Sequence, residues 1–191
     1  MATGTDIGLS DRSRATLITI AGIAIMLLGA GAALLPAANG VRGSTVIGGL
    51  LGIAGLIEIG AGMLRREVKP FAVAAGAVTI LAGLLFLVSP TRQFFPTVSL
   101  VIVWLVARGV VLAIASRKAG GSVRAWTGIS AGMDFLLAAL LLAGLSIAAI
   151  VVSLFGPTQP LIASFAWILA ASFVVTGILL LEVASCERNT A

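Results

Sequence analysis

Long apolar runs alternate with short polar segments along the whole chain. The apolar runs cover residues 15–35, 45–64, 71–88, 98–115, 126–155 and 161–184. A helix of roughly 20 residues, rising about 1.5 Å per residue, crosses the hydrocarbon core of a bilayer, and each run is long enough for this or nearly so. Proline, glycine and paired basic residues stand at the ends of the runs, where they end helices. The pattern therefore predicts an all-α, polytopic membrane protein with six transmembrane helices.

Two of the runs leave alternatives open. Residues 15–35 stand where a cleaved signal peptide would be, but this run is longer than the roughly 7–15 apolar residues of a signal core, so a span is favoured. Residues 126–155 would measure about 45 Å as one helix. This run must therefore tilt, kink near Gly144 or end early, and we expect a break between Gly144 and Ser146.

Composition supports a membrane protein and excludes several other classes. Of the 191 residues, 60% are hydrophobic and 10% are charged, whereas soluble domains carry roughly 25% charged residues. The net charge is +5, but the basic residues are spread between apolar runs, so no nucleic-acid partner is expected. With Cys186 as the single cysteine and no histidine, the common metal-ligand sets and nucleophile–base pairs are missing. We expect no cofactor, no metal site and no enzymatic activity.

The basic residues also predict the orientation of the chain. Nine lie in the tails and in the second and fourth connections, and two lie on the opposite side, at positions 42 and 92. Because positively charged loops resist translocation, both termini are expected in the cytoplasm, which requires an even number of spans. Arginine is far more frequent than lysine, a codon bias that indicates a GC-rich bacterial genome. The expected location is the bacterial plasma membrane, with residues 1–14 and 186–191 as cytoplasmic tails of a single domain, residues 15–185.

An internal repeat divides that domain into three helical hairpins, at about 15–66, 69–118 and 124–185. A shift of 54 residues aligns features of both helices of the first two hairpins. It places Gly22, Gly29, Pro36, Leu51 and Gly55 on Gly76, Gly83, Pro90, Leu105 and Gly109. In a third copy, Gly132, Ala139 and Ser146 take the positions of the two glycines and the proline, and an insertion through Pro157 follows. The repeat predicts three copies of one structural unit.

Small residues recur on single helix faces and predict close packing between helices. Glycines seven residues apart return to one face, and lipid offers little gain for burying leucine, so close backbone contact is a main source of helix association. The expected packing residues are Gly22, Gly29, Gly48, Gly52, Gly55, Gly76, Gly83, Gly109, Gly128 and Gly132. Contacts inside the chain are favoured, and contacts with a second copy or with another membrane protein are the alternative.

The glycine and proline positions of the repeat resemble those of the HdeD family of bacterial short-repeat membrane proteins. The resemblance covers about residues 15–185 and is carried by Gly22, Gly29, Pro36, Gly55, Gly76, Gly83, Pro90 and Gly109. It implies a six-helix plasma-membrane protein associated with acid resistance. It transfers no functional residues. The third hairpin departs from the pattern, because it lacks the second glycine and the proline and carries an insertion.

Three ionisable residues, Glu58, Arg108 and Asp134, lie well inside the predicted spans. Counted at about 1.5 Å per residue from the nearest basic boundary, they lie roughly 10, 14 and 15 Å deep, so they share one depth. A lone charge at a helix centre costs roughly 2.5–3.5 kcal/mol, so these groups should face one another inside the bundle. We predict an Arg108–Asp134 ion pair, which leaves Glu58 as the candidate protonation site if it has no cationic partner.

Two functions follow from these features. The first is a non-enzymatic, stress-associated membrane protein in which the charges fix the register of the helices. The second is a small transporter or channel in which Glu58, Arg108 and Asp134 relay protons or line a polar cavity. An arginine beside a carboxylate makes that carboxylate a poor proton carrier, so the structural interpretation of the ion pair is favoured.

Overall fold

A computed structural model of the chain describes residues 10–34, 43–88, 94–143 and 160–189, and this part is helical without any strand. The helices are α1 (Asp11–Leu34), α2 (Gly43–Leu64), α3 (Lys69–Val88), α4 (Phe94–Lys118), α5 (Gly121–Leu142) and α6 (Pro160–Asn189). Each of these 6 helices contains a segment long and apolar enough to cross a membrane. The predicted fold class, a six-helix polytopic membrane protein, is confirmed.

The outermost helices extend beyond the apolar runs. Helix α1 begins at Asp11, before the apolar run starts at Ala15, and α6 continues to Asn189. At the start of α1, the Ser13 backbone N–H donates a 3.3 Å hydrogen bond to Ser10 Oγ, the arrangement of a serine N-cap. Residues 11–14 and 186–189, assigned to tails from their polarity, are therefore helical, because a helix does not need apolar side chains once it leaves the hydrocarbon.

The long fifth run ends as a helix at Leu142. The next residue, Ala143, forms a turn, and its N–H bonds the Ala139 carbonyl at 2.9 Å. Helix α5 therefore ends early, two residues before the expected break at Gly144. Gly144–Ser146 and the insertion through Pro157 lie outside the described residues.

The six helices form a ring in chain order. Each helix contacts its neighbours in the sequence, and α6 closes the ring against α1. The most extensive contacts join α2 with α3, α4 with α5, and α6 with α1. Each of these pairs combines the second helix of one hairpin with the first helix of the next. The three hairpins are therefore held together mainly by contacts between repeats.

One end of the ring carries the two short connections, residues 65–68 and 119–120, and is called the short-loop end below. Helices α1, α3 and α5 begin there, and α2, α4 and α6 end there. The Arg14 guanidinium, at the start of α1, donates two hydrogen bonds of 2.6 and 3.1 Å to the carbonyl of Leu64, the last residue of α2. Such a carbonyl has no partner within its own helix, so this bond both caps α2 and fixes α1 beside it.

The distribution of side chains is that of a protein surrounded by lipid. Large aliphatic residues such as Leu27, Leu56 and Leu142 are 64–70% exposed on the outer surface of the ring. The interior, in contrast, holds many alanines, glycines and hydroxyl residues alongside larger apolar side chains. In water an outer surface so rich in leucine would cost much free energy, whereas in a bilayer it contacts acyl chains.

The buried positions show how the third hairpin aligns with the others. A shift of 55 places buried positions 72, 75, 76, 79, 82 and 83 of α3 on positions 127, 130, 131, 134, 137 and 138 of α5, and all of the latter are buried. Ala131 and Ala138, not Gly132 and Ala139, therefore occupy the two glycine positions. The alignment of the third hairpin expected from the sequence was wrong by one residue. It placed Gly132 on Gly76 because both are glycines, although Ala131 is the residue on the buried face of the helix.

Candidate functional site

The three intramembrane charges meet in the centre of the ring. Arg108 on α4 lies between the two carboxylates: Nη1 is 2.5 Å from Asp134 Oδ2, and Nη2 is 2.7 Å from Glu58 Oε1. Arg108 is 2% exposed, Asp134 1% and Glu58 7%. The predicted Arg108–Asp134 ion pair is present. Glu58 is bound by the same guanidinium, so the condition under which the sequence made it the candidate protonation site, the lack of a cationic partner, is not met. Three charges at one depth thus form one cluster with a net charge of minus one.

Hydroxyl groups of α3 and α6 complete this cluster. Thr79 Oγ1 donates to Glu58 Oε2 at 3.3 Å, and Ser172 Oγ donates to Asp134 Oδ1 at 3.0 Å. Thr176 Oγ1 accepts a 2.6 Å hydrogen bond from Arg108 Nη2 and donates its own 2.7 Å hydrogen bond to the Ser172 carbonyl. The name charge cluster is used below for Glu58, Arg108 and Asp134 with these three hydroxyl residues.

All four carboxylate oxygens of the charge cluster accept a hydrogen bond from within the protein. Burying an ion is expensive unless it is paired and hydrogen-bonded, and each carboxylate here is paired with Arg108 and accepts a further hydrogen bond from a hydroxyl group. On the guanidinium, Arg108 Nε has no hydrogen-bond partner in the described part of the chain. The carboxylates are therefore held by the protein itself, as expected for a structural cluster.

The charge cluster draws on five helices. Glu58 comes from α2, Thr79 from α3, Arg108 from α4, Asp134 from α5, and Ser172 and Thr176 from α6. On α1, the residue at the position equivalent to Thr79 and Asp134 is Ile25, which is fully buried. One polar centre therefore ties five helices together. Helix α1 is held instead by packing against α6 and by hydrogen bonds nearer the short-loop end, from Arg14 to Leu64 and from Arg188 to Thr19.

A small cavity, called the inner cavity here, lies against the charge cluster. Its volume is about 20 Å³, and its polar lining consists of Glu58, Arg65, Arg108 and Thr176. Alanines 72 and 75 of α3 and leucines of α4 and α6 form the rest of the wall. A larger space of about 320 Å³, the outer pocket, lies at the short-loop end between residues 65–67, residues 120–123 and the end of α6.

The glycines predicted to pack helices do so mainly in the pairs between repeats. Gly55 and Gly76 face each other across α2 and α3, so a Cβ added to either would lie 2.7–2.9 Å from the backbone oxygen of the other. Gly48 and Gly83 form a second such contact between the same helices. In the α1–α6 pair, Gly22 and Gly29 face backbone oxygens of residues 177 and 170, and in α4, Gly109 packs under the ring of Phe135.

Three of the predicted packing glycines do not direct their Cβ position at a neighbouring helix. A Cβ on Gly52 or Gly132 would meet open space, and one on Gly128 would come no closer than 3.9 Å to another residue. The backbone of Gly52 still contributes to the α2–α3 contact, since a Cβ added to Gly83 would lie 2.8 Å from the Gly52 nitrogen. For the faces of Gly128 and Gly132, the alternative prediction of contact with a second copy or another membrane protein stays a prediction.

Sequence reasoning missed several residues that the structure uses. Thr79, Ser172 and Thr176 were not singled out, although they bond the charges, and neither was Gly177, although it packs against Gly22. Thr176 and Gly177 could have been found by aligning the second and third hairpins with a shift of 68 residues, which places Arg108 and Gly109 on them. This shift equals the 54-residue repeat with the insertion added.

The described residues contain no group of three or more histidine, cysteine or acidic side chains that could hold a metal ion. The comparisons with known proteins add no relative to this description. No family model matches the chain, and neither a curated protein nor a solved structure matches it.

Proposed function

We propose that the chain is a non-enzymatic, HdeD-like protein of the bacterial plasma membrane that supports survival under acid stress, with the charge cluster holding its helices in register. The observation that carries the structural part is the occupation of every carboxylate oxygen in the cluster by a donor of the protein. The acid-stress part rests on the resemblance of the repeats, and the ring of three similar hairpins supports that resemblance.

The orientation belongs to the same proposal. Within the described residues, all basic side chains other than Arg108 belong to the short-loop end, including Arg14, Arg65 and Arg124. Because basic segments are retained on the cytoplasmic side, we place this end in the cytoplasm.

Cysteine labelling tests this orientation. In a Cys186→Ser background, Arg124→Cys lies at the short-loop end, and Ala143→Cys, the matched control, is exposed at the opposite end. We expect an impermeant maleimide to label position 124 in inverted vesicles and position 143 in intact spheroplasts. The reverse pattern would place the short-loop end outside the cell and contradict the proposed topology.

A small transporter or channel is the second candidate, and the inner cavity is the observation in its favour. This cavity reaches Glu58 and Arg108, so part of the charge cluster has free space beside it. Its volume of about 20 Å³ is close to what one water molecule needs, which is far below the few hundred Å³ of ordinary small-molecule sites. The structural role is therefore better supported than solute transport.

Two measurements on one set of proteins separate these functions. In liposomes, we expect the wild-type protein to give no more proton or solute flux than empty liposomes, because the charges are paired with one another and the cavity beside them has room for about one water. In a strain lacking the gene, we expect the wild type to restore survival after acid shock. Flux above that of empty liposomes would support the transporter, and normal acid survival without the gene would remove the stress role.

A further inference from the structure

The inner cavity has the size and polarity of a water site. A buried water needs a space of roughly 10–15 Å³ for its centre and two to four polar partners, and this cavity of about 20 Å³ is lined by Glu58, Arg65, Arg108 and Thr176. A second observation supports this assignment: Arg108 Nε, on a residue that is 2% exposed, has no hydrogen-bond partner in the described part of the chain. One of the cavity's polar residues thus has a donor that a water could satisfy.

The cavity distinguishes the two carboxylates of the charge cluster. Glu58 lines it, whereas Asp134 does not. Asp134 is enclosed instead by Arg108 and Ser172, each of which donates to one of its two oxygens. The two acids therefore differ in their contact with free space, although the same arginine binds both.

Arg65 contacts both the inner cavity and the outer pocket. Its side chain lines each of these spaces and is 7% exposed. The outer pocket, about 320 Å³ in volume, lies at the short-loop end and has room for many waters. Arg65 is thus the residue shared by the wide pocket and the narrow cavity, and Glu58 lines only the narrow cavity.

We propose that the inner cavity is a water-binding site through which Glu58, and not Asp134, exchanges protons with the short-loop end, with Arg65 closing the route. A hydronium ion in the cavity gives its proton to the Glu58 carboxylate and leaves as water, and Arg108 keeps its own proton and its bond to Asp134. The ion pair with Arg108 makes Glu58 a poor proton carrier, and the proposed exchange is with one end of the bundle only, so it moves no proton across the membrane. This inference concerns access to the charge cluster and is independent of the proposed stress role.

The charged groups around Glu58 are few. Arg108 of α4 binds it directly, Asp134 of α5 lies beyond that arginine, and Arg65 stands at the end of Glu58's own helix. Among the described residues, α3 contributes the hydroxyl of Thr79 to the cluster, and α6 contributes those of Ser172 and Thr176. A proton that reaches the cavity therefore meets one accessible carboxylate.

Trp104 provides an internal reporter of the charge on Glu58. Its Nε1–H donates a 3.4 Å hydrogen bond to Thr79 Oγ1, which in turn donates to Glu58. In a Trp126→Phe/Trp167→Phe variant, Trp104 is the only tryptophan of the chain. We expect its emission to shift when the protein in nanodiscs is acidified from about pH 7 to about pH 3.

Glu58→Gln in this background should abolish the shift, and Asp134→Asn should retain it. The infrared band of a protonated carboxylic acid should appear on acidification and be missing in Glu58→Gln. A wild-type protein without either signal, or a signal that survives Glu58→Gln, overturns the proposal. Glu58→Gln and the cavity variants described next decide the matter even if Asp134→Asn does not fold.

The rate of the response tests the route. After a rapid drop in pH, Ala75→Val, which fills the cavity wall, should slow the Trp104 response by about tenfold, a factor that corresponds to about 1.4 kcal/mol of added barrier. Arg65→Ala should accelerate it. Ala74→Val is the matched control, since Ala74 is on the same helix but outside the cavity lining, and should leave the rate unchanged. Equal rates for Ala75→Val, Arg65→Ala and the control would show that protons do not take this path.

Discussion

Replacement of Arg108 by methionine is expected to cause the largest loss of stability of any single substitution. Arg108 is the only cation that binds Glu58 and Asp134 in the described structure, so the variant leaves two buried carboxylates facing each other without a counter-charge. Removal of one partner from a buried ion pair typically costs about 3–5 kcal/mol. We expect a decrease of this size in the free energy of unfolding, measured by denaturing-detergent titration in mixed micelles.

The control for this prediction removes the charges together. The triple variant Glu58→Gln/Arg108→Met/Asp134→Asn contains no buried charge at the cluster, so most of the lost free energy should return. Arg108→Lys should lie between the wild type and Arg108→Met, because one ammonium group cannot reproduce two separate N–H donors aimed at two carboxylates. If Arg108→Met were as stable as the wild type, the charge cluster would not hold the bundle together.

The second large effect is expected from Gly55→Ala. A single methyl group at this position would lie 2.7 Å from the Gly76 carbonyl oxygen and from the Ile80 side chain, so α2 and α3 must move apart. Overpacking of this kind usually costs about 1–3 kcal/mol, and close backbone approach is what holds helices together in lipid. We expect a loss in that range in the same detergent titration, and a similar loss for Gly76→Ala.

Gly52→Ala is the matched control for Gly55→Ala. It introduces the same methyl group three residues earlier in α2, where a Cβ would meet open space. Alanine also favours the helix by about 1 kcal/mol over glycine, so Gly52→Ala should be neutral or stabilising. If both substitutions lowered stability equally, the effect would come from α2 itself and not from its contact with α3.

The three hairpins have similar backbones, but the charge cluster that they surround is not symmetric. In the second helix of each hairpin, the repeat makes Ala54, Arg108 and Thr176 equivalent positions. In the first helix of each hairpin, it makes Ile25, Thr79 and Asp134 equivalent. All of these positions face the interior of the ring. The same buried position thus carries an apolar residue in one hairpin and a polar or charged residue in another, and only their combination forms the charge cluster.

Part of this cluster could be predicted from residue type and depth alone. Charged side chains inside a span have few acceptable environments, so Arg108 and Asp134 had to find each other. The hydroxyl partners could not be predicted in this way, because a threonine or serine in a helix can bond its own backbone as readily as a neighbouring carboxylate. Thr79 does both: Oγ1 lies 3.1 Å from the Ala75 carbonyl and 3.3 Å from Glu58.

The packing contacts of the glycines could also be predicted only in part from the sequence. The spacing of Gly48 with Gly52 and of Gly128 with Gly132 matches a packing motif as well as the spacing of Gly22 with Gly29 does. Yet a Cβ added to Gly52 or Gly132 would meet open space in the described structure, whereas one added to Gly55 or Gly76 would collide with the facing helix. Spacing identifies a smooth face, but which face meets a neighbour depends on the rotation of each helix about its axis.

The amino-acid sequence by itself determined the solvent of this protein, the number of its spans and the residues that must be paired inside it. These follow from the free energy of transferring side chains from water into lipid, which depends on the residue type and on the length of the apolar run and not on which helix lies next to it. The tertiary structure decided the closure of the ring, the pairing of helices between repeats, the register of the third hairpin and the contact of only one carboxylate with the inner cavity. Each of these depends on how helices rotate and fit against one another, and apolar helices in lipid carry almost no hydrophobic signal for that choice.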